Sequence, residues 1–500
     1  MSATAATKDL KPRPANSPRS RHSGAGRGST ADGTRNPASE ASPQFGHGWT
    51  RVPLGEVGEW RGGGTPSKTN PSFWKSGNIP WVSPKDMKSD VITDTQDHIT
   101  EEAVRRSATN LVDAGSVLLV ARSGILRHTL PVAIASRKVA LNQDIKAVKP
   151  RKEIRSDYLA WVLKAHEREI LHRCTKTGTT VQSLELPVFL RFEIPVAPPE
   201  EQPRIVAEIE KQFTRLDAGV AALRRVQASL KRYRAAALKA ACEGCLVPTE
   251  AELTKAEGST YETGEQLLAR ILADRRKNWH GRGKYKEPAA PDTANIPSLP
   301  EGWAWARLEQ LGITYGGLTK NPKRAKLPNQ LPYLRVANVY ANELRLNEIE
   351  YIGVADSELE KLLVRAGDLL IVEGNGSKDQ IGRLAIWDGS IDPCVHQNHL
   401  IKVRLVSPAM SKWILYWLQS AGGRHFVELV ASSTSGLYTL SVNKVGDLPI
   451  LLPPLAEQTR IIAEVERRLS VIDELEAAVA ASFQRAARLR QSILRRAFHN

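Results

Sequence analysis

The 500-residue chain carries 70 Lys and Arg against 54 Asp and Glu, a formal charge of +16. That length allows about three domains at ~150 residues each, and the basic excess favours a polyanionic partner such as nucleic acid. No apolar run approaches the ~18 residues of a membrane span, which excludes a spanning helix.

Residues 1–45 open the chain as a disordered basic tail. Residues 1–44 contain no Val, Ile, Phe, Tyr or Trp, so they bury too little apolar surface to offset their ordering entropy. With no apolar h-region, the tail is not a secretory signal. From 46 to 199 short strand-like runs alternate with turn residues: 79–82, 117–121, 132–135 and 145–148 read as strands. One apolar helix follows at 158–163, then a Gly/Ser/Thr loop at 177–180 and a short strand stopped by Pro198-Pro199.

Beyond Pro199 the period changes. Val206, Ile209, Phe213, Leu216, Val220, Leu223, Leu230 and Ala237 fall on three- and four-residue steps, interrupted at Gln227 and Arg234. This is a heptad seam and predicts one helix over 200–243, about 65 Å long at 1.5 Å per residue. Cys242 and Cys245 close it as a single C-x-x-C. No second pair or His pair stands beside them to complete a zinc site, so they read as free cytosolic thiols. Residues 244–300 form a linker that holds an amphipathic stretch (Leu267, Leu268, Ile271, Leu272) and a Gly/Lys/Pro-rich run from Gly281 to Pro300.

The pattern then repeats. Gly48-Trp49 returns as Gly302-Trp303, Ala114-Gly115 as Ala366-Gly367, Asn142-Gln143 as His396-Gln397, and Glu201-Gln202 as Glu457-Gln458, at offsets drifting from 252 to 256 residues. In 301–454 the runs 333–336, 369–372, 384–387 and 400–405 read as strands, 413–418 as the apolar helix and 432–436 as the loop. A second helix is predicted over 455–498, with its seam on Ile462, Val465, Leu469, Ile472, Val479, Phe483, Ala486 and Ile493, interrupted at Glu476 and Arg490. The fold class is α+β: two pseudo-repeated mixed α/β units separated by two long antiparallel helices. Ile209, Phe213, Leu216, Leu223 and Leu230 would pair with Val465, Leu469, Ile472, Val479 and Phe483 in an intramolecular coiled coil.

No catalytic set emerges. There is no G-x-x-x-x-G-K-[ST] phosphate loop, no Asn/Asp-Pro-Pro-aromatic amino-methyltransferase motif and no paired-carboxylate-plus-Lys nuclease motif. His396 and His399 lack a ligand set for metal and read as structural. What remains is basic loops beside Gly and aromatics, in matched places. In the first copy these hold Arg61, Lys68, Lys85, Lys88, Arg122, Arg127 and Lys176. In the second they hold Lys320, Lys323, Arg324, Lys326, Arg335 and Lys378. Gly-rich turns let backbone approach phosphate, while Arg and Lys contact phosphates and base edges. Each long helix also ends in cations: Arg224, Arg225, Lys231, Arg232, Arg234 and Lys239 in the first, Arg485, Arg488, Arg490, Arg495 and Arg496 in the second. These either complement the helix dipole or dock an acidic partner or DNA.

Gly-Trp near each start, Pro-Pro…Glu-Gln…Arg-Ile before each long helix, and the stretch from Leu230 through Gly244 that closes the first resemble the specificity subunit of type I restriction–modification systems. The resemblance runs from about Gly46 to the C-terminus. It implies two target recognition domains, each reading half of a split site on double-stranded DNA. It also implies docking of methyltransferase subunits, expected to be two, and of a motor nuclease, so that S-adenosylmethionine, ATP and Mg belong to those partners and the location is cytoplasmic. Two other readings stay open: an endonuclease or methyltransferase with fused recognition domains, and a coiled-coil scaffold without sequence-specific binding.

Overall fold

Each long helix begins where prolines end a strand. In the computed structural model, which describes residues 48–176, 181–279, 283–292, 296–377, 380–434 and 437–498, the helices run Gln202–Cys242 and Leu455–Phe498. The tail 1–45, the loop 177–180 and Lys378 lie outside the described residues. Pro203 sits in the first turn, where its missing N–H costs nothing. The first helix stops at Gly244, whose φ of +69° lets Cys245 N donate to Ala240 O at 2.9 Å; this is a Schellman closure.

The contacts of the Glu-Gln pair at the start of each helix explain the recurring dipeptide. Trp49 Nε1 donates to Glu201 Oε2 at 3.0 Å, and Trp303 Nε1 donates to Glu457 Oε1 at 2.9 Å. Gln202 Nε2 donates to Ala197 O at 2.8 Å and Gln458 Nε2 to Pro453 O at 2.8 Å. Each Gln thereby satisfies a carbonyl of the strand exit that would otherwise be buried unpaired. Burial pushes the Glu457 carboxyl above its usual range, although Glu250 N and the Trp303 indole both donate to it.

Residues 48–196 build a five-stranded sheet in the order Gly58–Gly62, Ile145–Pro150, Val117–Val120, Val132–Ala135, Val91–Ile92. Beside it a four-stranded sheet pairs Ile79–Val82 in parallel with Val139–Leu141. Residues 303–452 build the order Gly312–Tyr315, Leu400–Leu405, Leu369–Val372, Leu384–Ile386, beside a sheet that pairs Gln330–Leu334 in parallel with Val395–His396. In each unit the strand entering from the Gly-Trp turn pairs antiparallel with the strand that leaves for the long helix: Thr50–Pro53 with Glu193–Val196, and Ala304–Arg307 with Pro449–Leu452.

Several local expectations are corrected. The apolar helices (Ser156–Ala165 and Ser411–Gln419) are each followed by a second helix, Glu167–Cys174 and Ala421–Val430. The expected loop at 432 is strand Ser432–Thr434, paired with Leu437–Thr439. In the linker, Glu250–Glu257 and Gly264–Lys277 are both capped by Thr with a reciprocal capping box, and Leu267 and Ile271 are buried. The second seam starts on Ile461, which is fully buried, rather than on half-buried Ile462.

The two long helices cross from one unit to the other in opposite directions. Val206, Ile209 and Phe213 join the first unit's core, and so do Ile493, Leu494 and Phe498 from the end of the second helix. Leu230, Leu238 and Ala241, from the end of the first helix, join the second unit's core with Val465, Leu469, Ile472 and Val479. The Phe498 ring meets Tyr158 edge-on at 5.5 Å. Leu216, Leu223 and Phe483 are only half-buried, because neither unit's sheet and short-helix layer reaches the middle of the rod.

Two ion-pair sites fix the register between the helices. Arg234 reaches Asp473 and Glu476, the latter at 3.2 Å, and Arg490 reaches Asp217 at 2.6 Å. From Asp217 to Arg234 and from Asp473 to Arg490 each helix advances 17 residues, about 25 Å at 1.5 Å per residue. These pairs are largely solvated, so each is worth under about 1 kcal/mol; their contribution is alignment.

Candidate nucleic-acid interface

In the first unit four loops meet at one end of the two sheets. Gly64 N donates to Leu141 O at 2.9 Å, Asn142 N to Val82 O at 2.9 Å, Ala121 N to Asp144 O at 2.7 Å and Leu184 N to Ala121 O at 2.8 Å. The loops at 61–68, 83–88, 121–128 and 142–144 therefore share one surface, although up to 80 residues separate them in the chain. Gly63 allows this closeness: a Cβ there would stand 2.2 Å from Leu141 O. The Asp144 carboxylate organises the surface, since Arg122 Nε donates to it at 2.6 Å and Gln143 Nε2 at 3.3 Å. Thr65 in turn donates to Gln143.

The second unit assembles its face from the matching segments. Leu318 N donates to His396 O at 2.8 Å, Gln397 N to Leu334 O at 2.9 Å and Glu373 N to His399 O at 2.9 Å. A Cβ on Gly317 would lie 2.3 Å from Gln397 O. Val336 N donates to Gln397 Oε1 at 3.3 Å, so Gln143 and Gln397 each tie two loops of their own face together. His396 is buried, with Nδ1 against Leu400 O at 2.9 Å, and burial followed by the nearby Lys402 charge lowers its pKa to about 4. His399 Nδ1 lies 3.1 Å from Glu373 Oε2.

The structure sorts the sequence-derived cations into two groups. Lys68, Lys85, Lys88, Arg127, Lys323 and Lys326 are exposed and have no ion-pair partner among the described residues. Arg61 pairs with Glu59 at 2.8 Å and Lys176 with Glu185 at 4.0 Å, and both stay open to solvent. Lys320 and Arg335 share Glu350, at 2.8 and 2.7 Å; the hydrogen bond from Lys320 leads the effects that lower the Glu350 pKa. Arg324 differs from the exposed cations in being held by the fold. Its fork meets both oxygens of Glu358 at 2.9 Å, a further N–H donates to Gly353 O, and the side chain is only 15% exposed. A bidentate carboxylate uses the donors that a base or phosphate would need.

Sequence reasoning missed Gln143, Asp144 and Gln397, although the Asn-Gln/His-Gln match between the copies marked their place. Tyr340, five residues beyond Arg335, has its ring 3.7 Å from the Arg345 guanidinium and 4.7 Å from that of Arg383. No group of three or more His, Cys, Asp or Glu capable of holding a metal occurs among the described residues. Nor is any helix among them long and apolar enough to cross a membrane.

Comparison with known proteins gives these folds a context. Residues 46–222 match the family described as the type I restriction modification DNA specificity domain. The Escherichia coli type I restriction enzyme EcoR124I/EcoR124II specificity subunit is 41% identical over 181 residues, 36% of this chain and 45% of that one. The EcoKI specificity subunit of Escherichia coli K12 is 24% identical over 356 residues, 70% of this chain and 66% of that one. The matches thus span less than two thirds of these relatives' lengths. A chain from a solved structure of type I R-M complex assembly and conformational transition shares the fold with a TM-score of 0.60 at 19% identity, over 91% of this chain and 98% of that one. Residues 46–222 are thus similar to the type I restriction modification DNA specificity domain, and the chain is similar to specificity subunits of type I restriction enzymes.

Proposed function

We propose that the chain is the non-catalytic recognition subunit of a type I restriction–modification complex and reads a bipartite, asymmetric site on double-stranded DNA. Each α/β unit reads one half-site through its knitted loop face. The two units are pseudo-repeats of one domain, 46–199 and 301–454, and the long helices form an antiparallel coiled coil that sets the distance between halves. The observation that carries this reading is the pair of loop faces, each closed by a glycine packed against a Gln-bearing turn and each carrying exposed, unpaired cations. The faces differ in side chains: Arg122–Asp144 in one and Lys320–Glu350–Arg335 in the other, so they suit different half-sites.

The partners are methyltransferase subunits, two per recognition chain, and a motor nuclease, all cytoplasmic. S-adenosylmethionine, ATP and Mg are placed on them, with no cofactor on this chain. A docking surface for them is offered by the outer side of the first long helix, where Val226 and Tyr233 are 44% and 50% exposed, next to Arg225 and Arg232 in the chain. The test is reconstitution. The purified chain alone is expected to methylate no DNA, and adding the methyltransferase subunit is expected to give adenine methylation at one split, non-palindromic sequence. Methyl transfer by the chain alone, or methylation of a palindrome by the complex, refutes the reading.

A further inference from the structure

Beside the first loop face lies a cleft of about 540 Å3 lined by Lys68, Pro71, Trp74, Lys75 and Asp97. One indole, Trp74, lines it, and a second, Trp81, is packed against the first. Trp81 is buried and donates from Nε1 to Gly64 O at 3.1 Å, and Trp74 meets it edge-on at 5.2 Å and donates from Nε1 to Ser67 O at 3.0 Å. Both indole N–H groups are thus spent on carbonyls of the 61–68 loop. What Trp74 presents to the cleft is ring surface, and the same contacts fix that ring against the loop. Lys68 and Lys75 are exposed and have no ion-pair partner among the described residues. Asp97 sits on the strand paired with Ile79–Val82, in register with Trp81.

We propose that this cleft is a nucleotide subsite, with a base stacked on Trp74, its phosphate held by Lys68 and Lys75, and an exocyclic amino group donating to Asp97. The combination decides the chemistry. A stacking surface is indifferent to base identity, two ammonium groups suit one phosphodiester, and a carboxylate facing them suits an amino group rather than a second phosphate. A purely apolar ligand would leave both ammonium groups unmatched, and a bare phosphate would leave the indole unused while facing Asp97. The nucleotide belongs either to a DNA strand flanking the half-site read by the first unit or to a free mononucleotide. Continuity with the 61–68 loop favours the strand. The strand form rests on the DNA-reading function proposed above; the nucleotide form does not.

The test uses the full chain. Binding of a duplex containing the methylated sequence is titrated across salt concentrations, and binding of deoxyadenosine monophosphate is measured by calorimetry, for wild type, Trp74→Phe, Trp74→Ala and the pair Lys68→Gln/Lys75→Gln. A strand in the cleft predicts duplex binding about tenfold weaker for Trp74→Ala and near wild type for Trp74→Phe. The double lysine variant is expected to lower the slope of log K against log salt by one to two, and substitutions of Lys323 and Lys326 would not reproduce the stacking loss. Mononucleotide binding that disappears in Trp74→Ala assigns the cleft to a free nucleotide as well. If Trp74 packing matters only for folding, Trp74→Ala alone loses melting temperature while the lysine pair binds DNA and mononucleotide as wild type does, and the proposal is overturned. A wild-type chain that binds no duplex sequence-specifically sinks the DNA reading, and the mononucleotide arm then decides the cleft by itself.

Discussion

Four residues added to each long helix at the middle of the rod would test whether these helices set the distance between half-sites. The ion pairs show where to add them. Asp217–Arg490 lies on the side of the first unit and Arg234–Asp473 on the side of the second. Insertion after Gln227 in one helix and after Val479 in the other falls between the two sites, so each pair keeps its partner and each unit keeps its helix seats. The 17-residue interval becomes 21, and the separation grows from about 25 to about 31 Å, with about 40° of added rotation at 100° per residue. One base pair advances about 3.4 Å and turns about 35° at 10–10.5 pairs per turn. The rotation matches one added pair and the translation one to two. Four residues are also a stutter, which a two-helix coil absorbs by local unwinding, and the mid-rod residues Leu216 and Leu223 are half-buried and least constrained. Methylome sequencing of cells carrying the variant and the methyltransferase subunit should show the nonspecific spacer longer by about one pair, with both half-sites unchanged. An unaltered spacer, or changed half-site bases, refutes the ruler.

Other consequences follow from named contacts. Phe498→Ala removes a ring that is 1% exposed and packed on Tyr158; it should destabilise the chain by about 3–5 kcal/mol, read as a lowered denaturation midpoint with far-UV dichroism otherwise retained. His396 stays neutral in the fold because burial and Lys402 hold its pKa near 4, against 6.5 when free, with Asp368 the opposing charge. The unfolded chain therefore takes up a proton first as pH falls through 6.5, and about 3 kcal/mol of stability is lost by pH 4, where the loss levels off. His396→Asn, the residue type at the matching position 142, should abolish that part of the pH dependence, and an unchanged pH profile would show that His396 titrates normally. Replacing residues 302–454 with those of a relative should change one half of the methylated sequence, and a change in both halves would contradict independent readers.

The long helices were legible because their signals are local. Three- and four-residue spacing, prolines before the first turn and Gly244 after the last residue place the first helix to within two residues at its start and one at its end. The interface was legible only as a list of loops. The hydrogen bond joining Gly64 to Leu141 spans 77 residues, and no window of sequence reports it. The same distance effect hid the state of the cations. Arg324 looks free beside Lys323 and Lys326, yet Glu358, 34 residues on, occupies its fork. Ser432–Thr434 reads as a Gly/Ser/Thr loop by composition and becomes a strand because Leu437–Thr439 returns beside it, which is tertiary context overriding propensity.

Arg234 and Arg490 show where a local pattern misleads. Judged against the heptad, each is a polar residue breaking an apolar seam, and the expected effect is a weakened contact. Set across the partner helix, each faces an aspartate, Asp473 for one and Asp217 for the other, and Arg490 also lies 4.4 Å over the Phe213 ring. An apolar seam between two helices tolerates slippage by a heptad at modest cost, since one Leu substitutes for another. A charge placed at the same position in both helices does not, because a seven-residue slip moves each guanidinium about 10 Å along the axis and leaves all five charges of the two sites unmatched. The interruptions therefore favour the observed alignment, a use of polar groups at seam positions known from coiled coils generally. That alignment also sets where the loop faces stand: a seven-residue slip, about 10 Å, exceeds the rise of two base pairs, and it would also lift the helix ends out of the two unit cores.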